Sequence, residues 1–142
     1  MRGYKEKITK DLSILSNKMR RKLDGLTVKD DCTSSQGRLL FFLLANNHRD
    51  IYQKNIEDEY GLRPSSASEL LKKMEEKGLI RRESKSYDAR LKKIIVTDKA
   101  LSHEDSVVSE CIKLEDKLLR GVSHEEMKIF SEIITRMIKN LA

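Results

Sequence analysis

Two short stretches of the chain gather side chains able to bond to a polyanion. Ser65, Ser66, Ser68, Glu69, Lys72 and Lys73 lie within nine residues, and Arg81, Arg82, Lys85, Asp88, Arg90, Lys92 and Lys93 lie within thirteen. Serine hydroxyls suit several base edges, glutamate can accept from a cytosine amino group, and lysine or arginine favours guanine or phosphate. Catalytic chemistry is not signalled. There is no G-x-S-x-G, P-loop or H-E-x-x-H pattern and no prominent acid/base pair, so no enzyme is expected. His48, His103 and His124 stand singly, without the spacing of metal ligands, and neither a metal nor a cofactor is expected. Cys32 opens a helix, whose N-terminus lowers a thiol pKa, but Asp30 and Asp31 beside it push the other way. Redox sensing there is a minor alternative, and Cys111 reads as a packing residue.

The distribution of charge agrees with this. The 142 residues carry a net charge of +6, with 37% charged and 38% hydrophobic side chains. Residues 1–30 and 63–93 each hold an excess of +5, while 31–62 and 94–142 are each at −2. An even, solubilising surface would spread the excess, so the window at 63–93 marks a local phosphate contact. The other basic window has no assigned partner. The mean hydropathy of −0.58 suggests one helix-rich domain with a thin core, or one shared with a partner. No apolar run reaches the roughly 18 residues of a membrane span, and MRGYKEKITKDL lacks a signal-peptide core. A cytoplasmic protein with no membrane partner is the expectation.

The elements that must position these residues can be read from periodicity. Ile8, Leu12, Leu15, Met19, Leu23 and Leu26 recur at spacings of four and three, the seam of an amphipathic helix. Thr33-Ser34-Ser35-Gln36 is a capping-box pattern opening a second helix through Leu39–Ala45. That segment is apolar on all sides and would suit a buried strand, but the cap favours a buried helix. A short helix follows from Tyr52 to Tyr60 and ends at Gly61, and another begins at Pro64 with Ala67, Leu70, Leu71 and Met74 as its stripe. Helix, glycine turn, helix is the spacing of a helix-turn-helix. The polar residues Ser65, Ser68, Glu69, Lys72 and Glu76 then face away from the core, flanked by Ser66 and Lys73. After Gly78, residues 79–83 and 93–97 read as strands around a polar tip at 84–92, a hairpin placed as a wing. Thr97 caps a helix with the stripe Leu101, Val108, Cys111/Ile112 and Leu118/Leu119. Ser123–Glu126 caps the last helix, which carries Phe130, Ile133, Ile134, Met137, Ile138 and Leu141.

This order of elements, and above all GLRPSSASELLKKMEEKGLIRRESKSYDARLKKIIVTDKA from Gly61 to Ala100, resembles the multiple antibiotic resistance regulator (MarR) family. Asp88-Ala89-Arg90, followed by Val96-Thr97, is similar to the family's D-x-R…L-T wing signature, with Val96 in place of the usual leucine. Arg63 stands where many members have a Ser or Thr cap, so a frayed first turn of the recognition helix is expected. The resemblance implies a mainly α fold with a small β wing, a winged helix-turn-helix with N- and C-terminal dimerisation helices. It implies that Arg90 enters the minor groove, with Asp88 pairing with it or a neighbouring arginine to shape the loop. Arg81, Arg82, Lys85, Lys92 and Lys93 would contact phosphate, although solvated charge is an equally simple account of any one lysine.

The stripes of the first and last helices are too long for a core of about 60 residues to cover. In this family such helices interlock two subunits. The seam would be Ile8, Leu12, Leu15 and Met19 with Phe130, Ile134, Met137 and Leu141, and the bland alternative is a sub-core within one chain. The expected organisation is a single domain over 1–142, with dimerisation helices at 1–32 and 98–142 and the DNA-binding lobe at 33–97. A homodimer would set two recognition helices one turn of double-stranded DNA apart and read a palindrome. Relatives often bind small aromatic or lipophilic effectors beside the dimer helices, which makes Met19, Phe41 and Phe42 candidates, or plain core residues. The reading is a DNA-binding transcriptional regulator, most simply a repressor. Its rival is a winged-helix module for protein contacts or non-specific nucleic-acid binding.

Overall fold

The computed structural model describes residues 3–27, 32–85 and 88–142. Among them lie seven helices and a two-stranded antiparallel sheet, in the order α1 (Gly3–Thr27), α2 (Ser34–Ala45), α3 (Gln53–Tyr60), α4 (Pro64–Glu76), β1 (Ile80–Lys85), β2 (Asp88–Val96), α5 (Asp98–Leu101), α6 (Glu104–Leu118) and α7 (His124–Asn140). The fold is thus mainly helical with a small β wing.

Local chemistry explains most boundaries. At the start of α2, the Thr33 hydroxyl accepts from Gln36 N and the Thr33 amide donates to Gln36 Oε1, both at 3.3 Å. The apolar run behind this cap is a helix, because α1, α4 and α6 cover it on several sides. Leu39, Leu40 and Leu43 are consequently buried. Helix α3 ends at Gly61 in the left-handed region (φ 60°), and the Leu62 amide folds back onto Glu57 O. Pro64 then starts α4 where its missing N–H costs nothing, while Arg63 supplies no side-chain cap. Ala67, Leu71 and Met74 turn fully inward. The exit from α4 is a Schellman turn: Gly78 (φ 75°) donates to Glu75 O and Leu79 to Met74 O.

Two features depart from the sequence-based reading. The wing's strands run further than expected, to Lys85 and from Asp88, so most of the segment 84–92 is strand and not tip. Pairing is regular from Ile80↔Val96 to Ser84↔Lys92 and then jumps to Lys85↔Asp88, which leaves Ala89, Arg90 and Leu91 as an irregular interruption of β2. The second departure is the helix after Thr97, which is two helices. Thr97 does cap α5, but the Ser102 hydroxyl bonds Lys99 O and the His103 amide bonds Ala100 O, a tighter turn that ends α5 before α6 begins. The break rotates the following stripe: Val107, not Val108, is the buried residue of α6, and Leu101 and Ile112 are exposed.

Candidate nucleic-acid interface

Helix α4 presents two faces because its apolar residues follow a 3.6-residue period. With Ala67, Leu71 and Met74 inside, Ser65, Ser66, Ser68, Glu69, Lys72, Lys73 and Glu76 are exposed, as the sequence predicts. Lys73 is drawn to Glu69 one turn back, at 3.7 Å. Beside this face an open groove of about 500 Å³ runs between the start of α2 and the first turns of α4, lined by Ser35, Gln36, Ser65, Ser66, Glu69 and Lys73 among others. Lys77 Nζ donates to Gln36 Oε1 at 2.7 Å, so the α2 capping box is tied to the end of α4.

The wing cations do not form one set. Strand pairing alternates sides, so Arg82 shares a face with buried Ile94 while Arg81, Glu83 and Lys93 occupy the other. Arg81 pairs with Glu83 at 3.3 Å and Lys93 with Asp50 at 3.0 Å. Arg82 Nη2 lies 3.1 Å from Glu75 Oε1. That hydrogen bond, more than the nearby Arg82 and Lys92 charges, holds the Glu75 carboxyl below the usual carboxylate range. Pairing with Glu75, Asp50 and Gln36 was not foreseen from sequence, because each joins elements far apart in the chain. The side chains of Lys85, Asp88 and Arg90 lie outside the described residues. The backbone puts Asp88 and Arg90 in β2, with Arg90 inside the irregular stretch.

An exposed polar helix face beside a basic hairpin is a helix-turn-helix with its wing, and comparison with known proteins agrees. A family model described as "MarR family" matches residues 30–91. The transcription regulator MarR from Oenococcus oeni PSU-1 is 30% identical and superimposes with a TM-score of 0.86 over 93% of this chain and 98% of that one. The chain belongs to the MarR family. A DNA complex of MepR from S. aureus is similar to this MarR-family chain at 27% identity and a TM-score of 0.81, covering 92% and 95% of the two chains. The uncharacterized HTH-type transcriptional regulator YdgJ of Bacillus subtilis (strain 168) is 27% identical over 111 residues, 78% of this chain and 68% of that protein. This MarR-family protein is therefore a DNA-binding transcription regulator with a winged helix.

Away from the α4 face, the regulator has a cleft of about 420 Å³ between α1, α2 and α6. Of the effector candidates, Met19 and Phe41 line it, together with Arg38, Tyr60 and Cys111. Phe42 does not: it is 8% exposed in the core, with its ring edge-on to Tyr60 at 5.9 Å. Burial pushes the Tyr60 phenol up to about 12 and raises the Cys111 thiol as well. Cys32 is buried. No group of three or more His, Cys, Asp or Glu side chains converges as a metal site among the described residues, and no described helix is long and apolar enough to cross a membrane.

None of the proposed dimer residues is buried. Leu12, Leu15, Phe130 and Leu141 are exposed, and Ile8, Met19, Ile134 and Met137 are half-buried. Helix α7 buries no residue at all.

Proposed function

We propose that this regulator is a homodimeric repressor that reads a palindromic operator through α4 and the wing, and that a small aromatic or lipophilic ligand in the α1/α2/α6 cleft releases it. The DNA-reading role of Ser65, Ser66, Ser68, Glu69, Lys72 and Lys73 is carried by one observation. They form a continuous exposed polar face in the first three turns of α4, the part of a recognition helix that enters the major groove. Lys72 has no ion-pair partner among the described residues and is free to engage a base or phosphate. Arg81, Lys85, Lys92 and Arg90 extend the contact along the wing, where they position the protein on the backbone or enter the minor groove.

The homodimer rests on α7. Its apolar residues recur on one face, it is capped by a complete Ser123/Glu126 box, and its own chain leaves that face uncovered. Leu141 is 90% exposed, a degree of apolar exposure that a second subunit would remove. A two-fold interface using residues 1–32 and 98–142 leaves the lobe at 33–97 free for DNA. In the cleft, apolar Met19, Leu23 and Phe41 supply contact area, and the Tyr60 phenol and Arg38 guanidinium supply polar ends. A ligand favouring a lobe spacing that mismatches the operator would release DNA by shifting populations.

Selection of bound duplexes from an unbiased fragment pool, repeated at two salt concentrations, tests the reading. A repressor of this kind enriches a short palindrome and keeps that preference as salt rises. Binding that collapses along the phosphate slope with no sequence enriched would instead establish the non-specific module.

A further inference from the structure

By sequence Arg82 belongs with the wing cations, but the strand register turns it inward. It pairs across the ribbon with Ile94, which is 5% exposed, and on that face it meets the last turn of α4. Arg82 Nη2 donates to Glu75 Oε1 at 3.1 Å, and Arg82 Nε approaches Glu75 Oε2 at 3.5 Å. Two nitrogens of one guanidinium edge thus meet both oxygens of one carboxylate, a fork that fixes direction as well as distance. The Arg82 side chain is only 23% exposed.

The fork has mechanical leverage. Helix α4 and strand β1 are joined covalently by Lys77-Gly78-Leu79 alone, a turn whose closing hydrogen bonds lie at Glu75 O and Met74 O. The base of the wing is anchored to the α2–α3 connection, where Ile94 N donates to Ile51 O at 2.8 Å and Lys93 pairs with Asp50 at 3.0 Å. The fork adds a side-chain tie from the third residue of β1 directly to the last turn of α4, and so bears on the angle between the wing and that helix. Base readout by α4 and groove contact by the wing must occur together on one duplex, so the angle between them decides whether both can be made.

We infer that Glu75 and Arg82 form a clamp that sets the angle of the wing to α4, and that Arg82 is a positioning residue whose charge is committed to Glu75 instead of to phosphate. This rests on the reading of α4 and the wing as the DNA-contacting surface. Lys92, which pairs with Ser84 on the same face and whose charge reaches Glu75, is left to face the backbone.

The test uses the full chain with a duplex enriched from a random pool and a scrambled duplex of equal length, each titrated across a salt series. Arg82→Gln and Glu75→Gln are each expected to cut the preference for the enriched duplex by about tenfold, the discrimination of one well-placed base contact. The salt slope on the scrambled duplex should stay unchanged, and the double variant should be no worse than either single one. Arg82→Lys keeps the charge, loses the fork and is expected to behave like Arg82→Gln. Glu75→Gln separates the accounts by sign, because removing a negative charge near DNA would by charge alone tighten binding. If Arg82 touches phosphate, Arg82→Gln flattens the salt slope by about 0.9 on both duplexes, Arg82→Lys stays near wild type and Glu75→Gln binds tighter. That pattern overturns the clamp. A wild-type chain that enriches no duplex overturns the DNA-reading surface and the clamp with it, whereas an enriched duplex bound equally well by all the variants overturns the clamp alone. Matching melting temperatures among the variants confirm that the fold is intact.

Discussion

At the residue scale, Arg90→Ala should weaken operator binding by about tenfold to a hundredfold, within the range of losing one specific arginine contact, while the melting temperature stays at the wild-type value. Affinity unchanged by gel shift or anisotropy would remove the wing tip from recognition. Tyr60 makes a different prediction. Its phenol is partly buried against Phe42, its hydroxyl donates to Arg38 O at 3.1 Å, and burial raises its pKa from 10.0 to about 12. A raised pKa means that the folded chain holds the proton after the unfolded chain has released it. The stabilisation is therefore complete below pH 10 and is lost as pH rises through about 12. Ultraviolet titration of the four tyrosines should show one ionising late, and Tyr60→Phe should remove that late phase. A single ordinary phenol transition would contradict the packing around Tyr60. The raised Cys111 thiol, by the same physics, is protonated at neutral pH and a poor nucleophile.

At the scale of elements, the hinge between α4 and the wing depends on backbone conformation more than on space. An added methyl at Gly78 would meet only Lys99 Cδ at 3.8 Å, an ordinary contact, but φ of +75° is costly for any residue with a Cβ. Gly78→Ala is expected to destabilise the fold by about 1–2 kcal/mol, measured by denaturant unfolding, and a neutral result would mean that the turn relaxes. Features like this one were legible beforehand because they are local. Gly61 and Gly78, the capping boxes at Thr33 and Ser123, and the Ala67/Leu71/Met74 stripe each depend on residues within a few positions of one another. The partners of the wing cations were not legible. Arg82 reads as a free cation until the register decides which face it occupies, and that register is set across the ribbon, where Arg82 lies opposite Ile94. The break after α5 was missed for a related reason. The pattern from Leu101 to Leu119 continues a helical period, and the Ser102 hydroxyl's bond to Lys99 O and the His103 amide's bond to Ala100 O interrupt it.

At the scale of the whole molecule, large apolar side chains stand exposed along the terminal helices. Ile129, Phe130, Ile133 and Ile138 on α7, with Ile14 on α1 and Ile112 on α6, are all exposed. Sedimentation at micromolar concentration should give a dimer, and Phe130→Asp should give a folded monomer with retained helical circular dichroism and sharply reduced operator affinity. A wild-type monomer, or a Phe130→Asp dimer, would count against the seam. That outcome matters for function, since one recognition helix alone reads only half a palindrome.

The interruption at Ala89-Arg90-Leu91 has one more consequence. A two-stranded ribbon projecting from a domain exposes unpaired backbone N–H and C=O groups along both edges, a template onto which another chain can add a strand. Flat, regular ribbons invite such stacking, and a crowded regulator waiting off its target would be exposed to it. A register jump kinks the edge, and the exposed Lys92 charge beside it repels a like-charged copy. The same irregular stretch that carries Arg90 thus works against strand addition at the end of the wing.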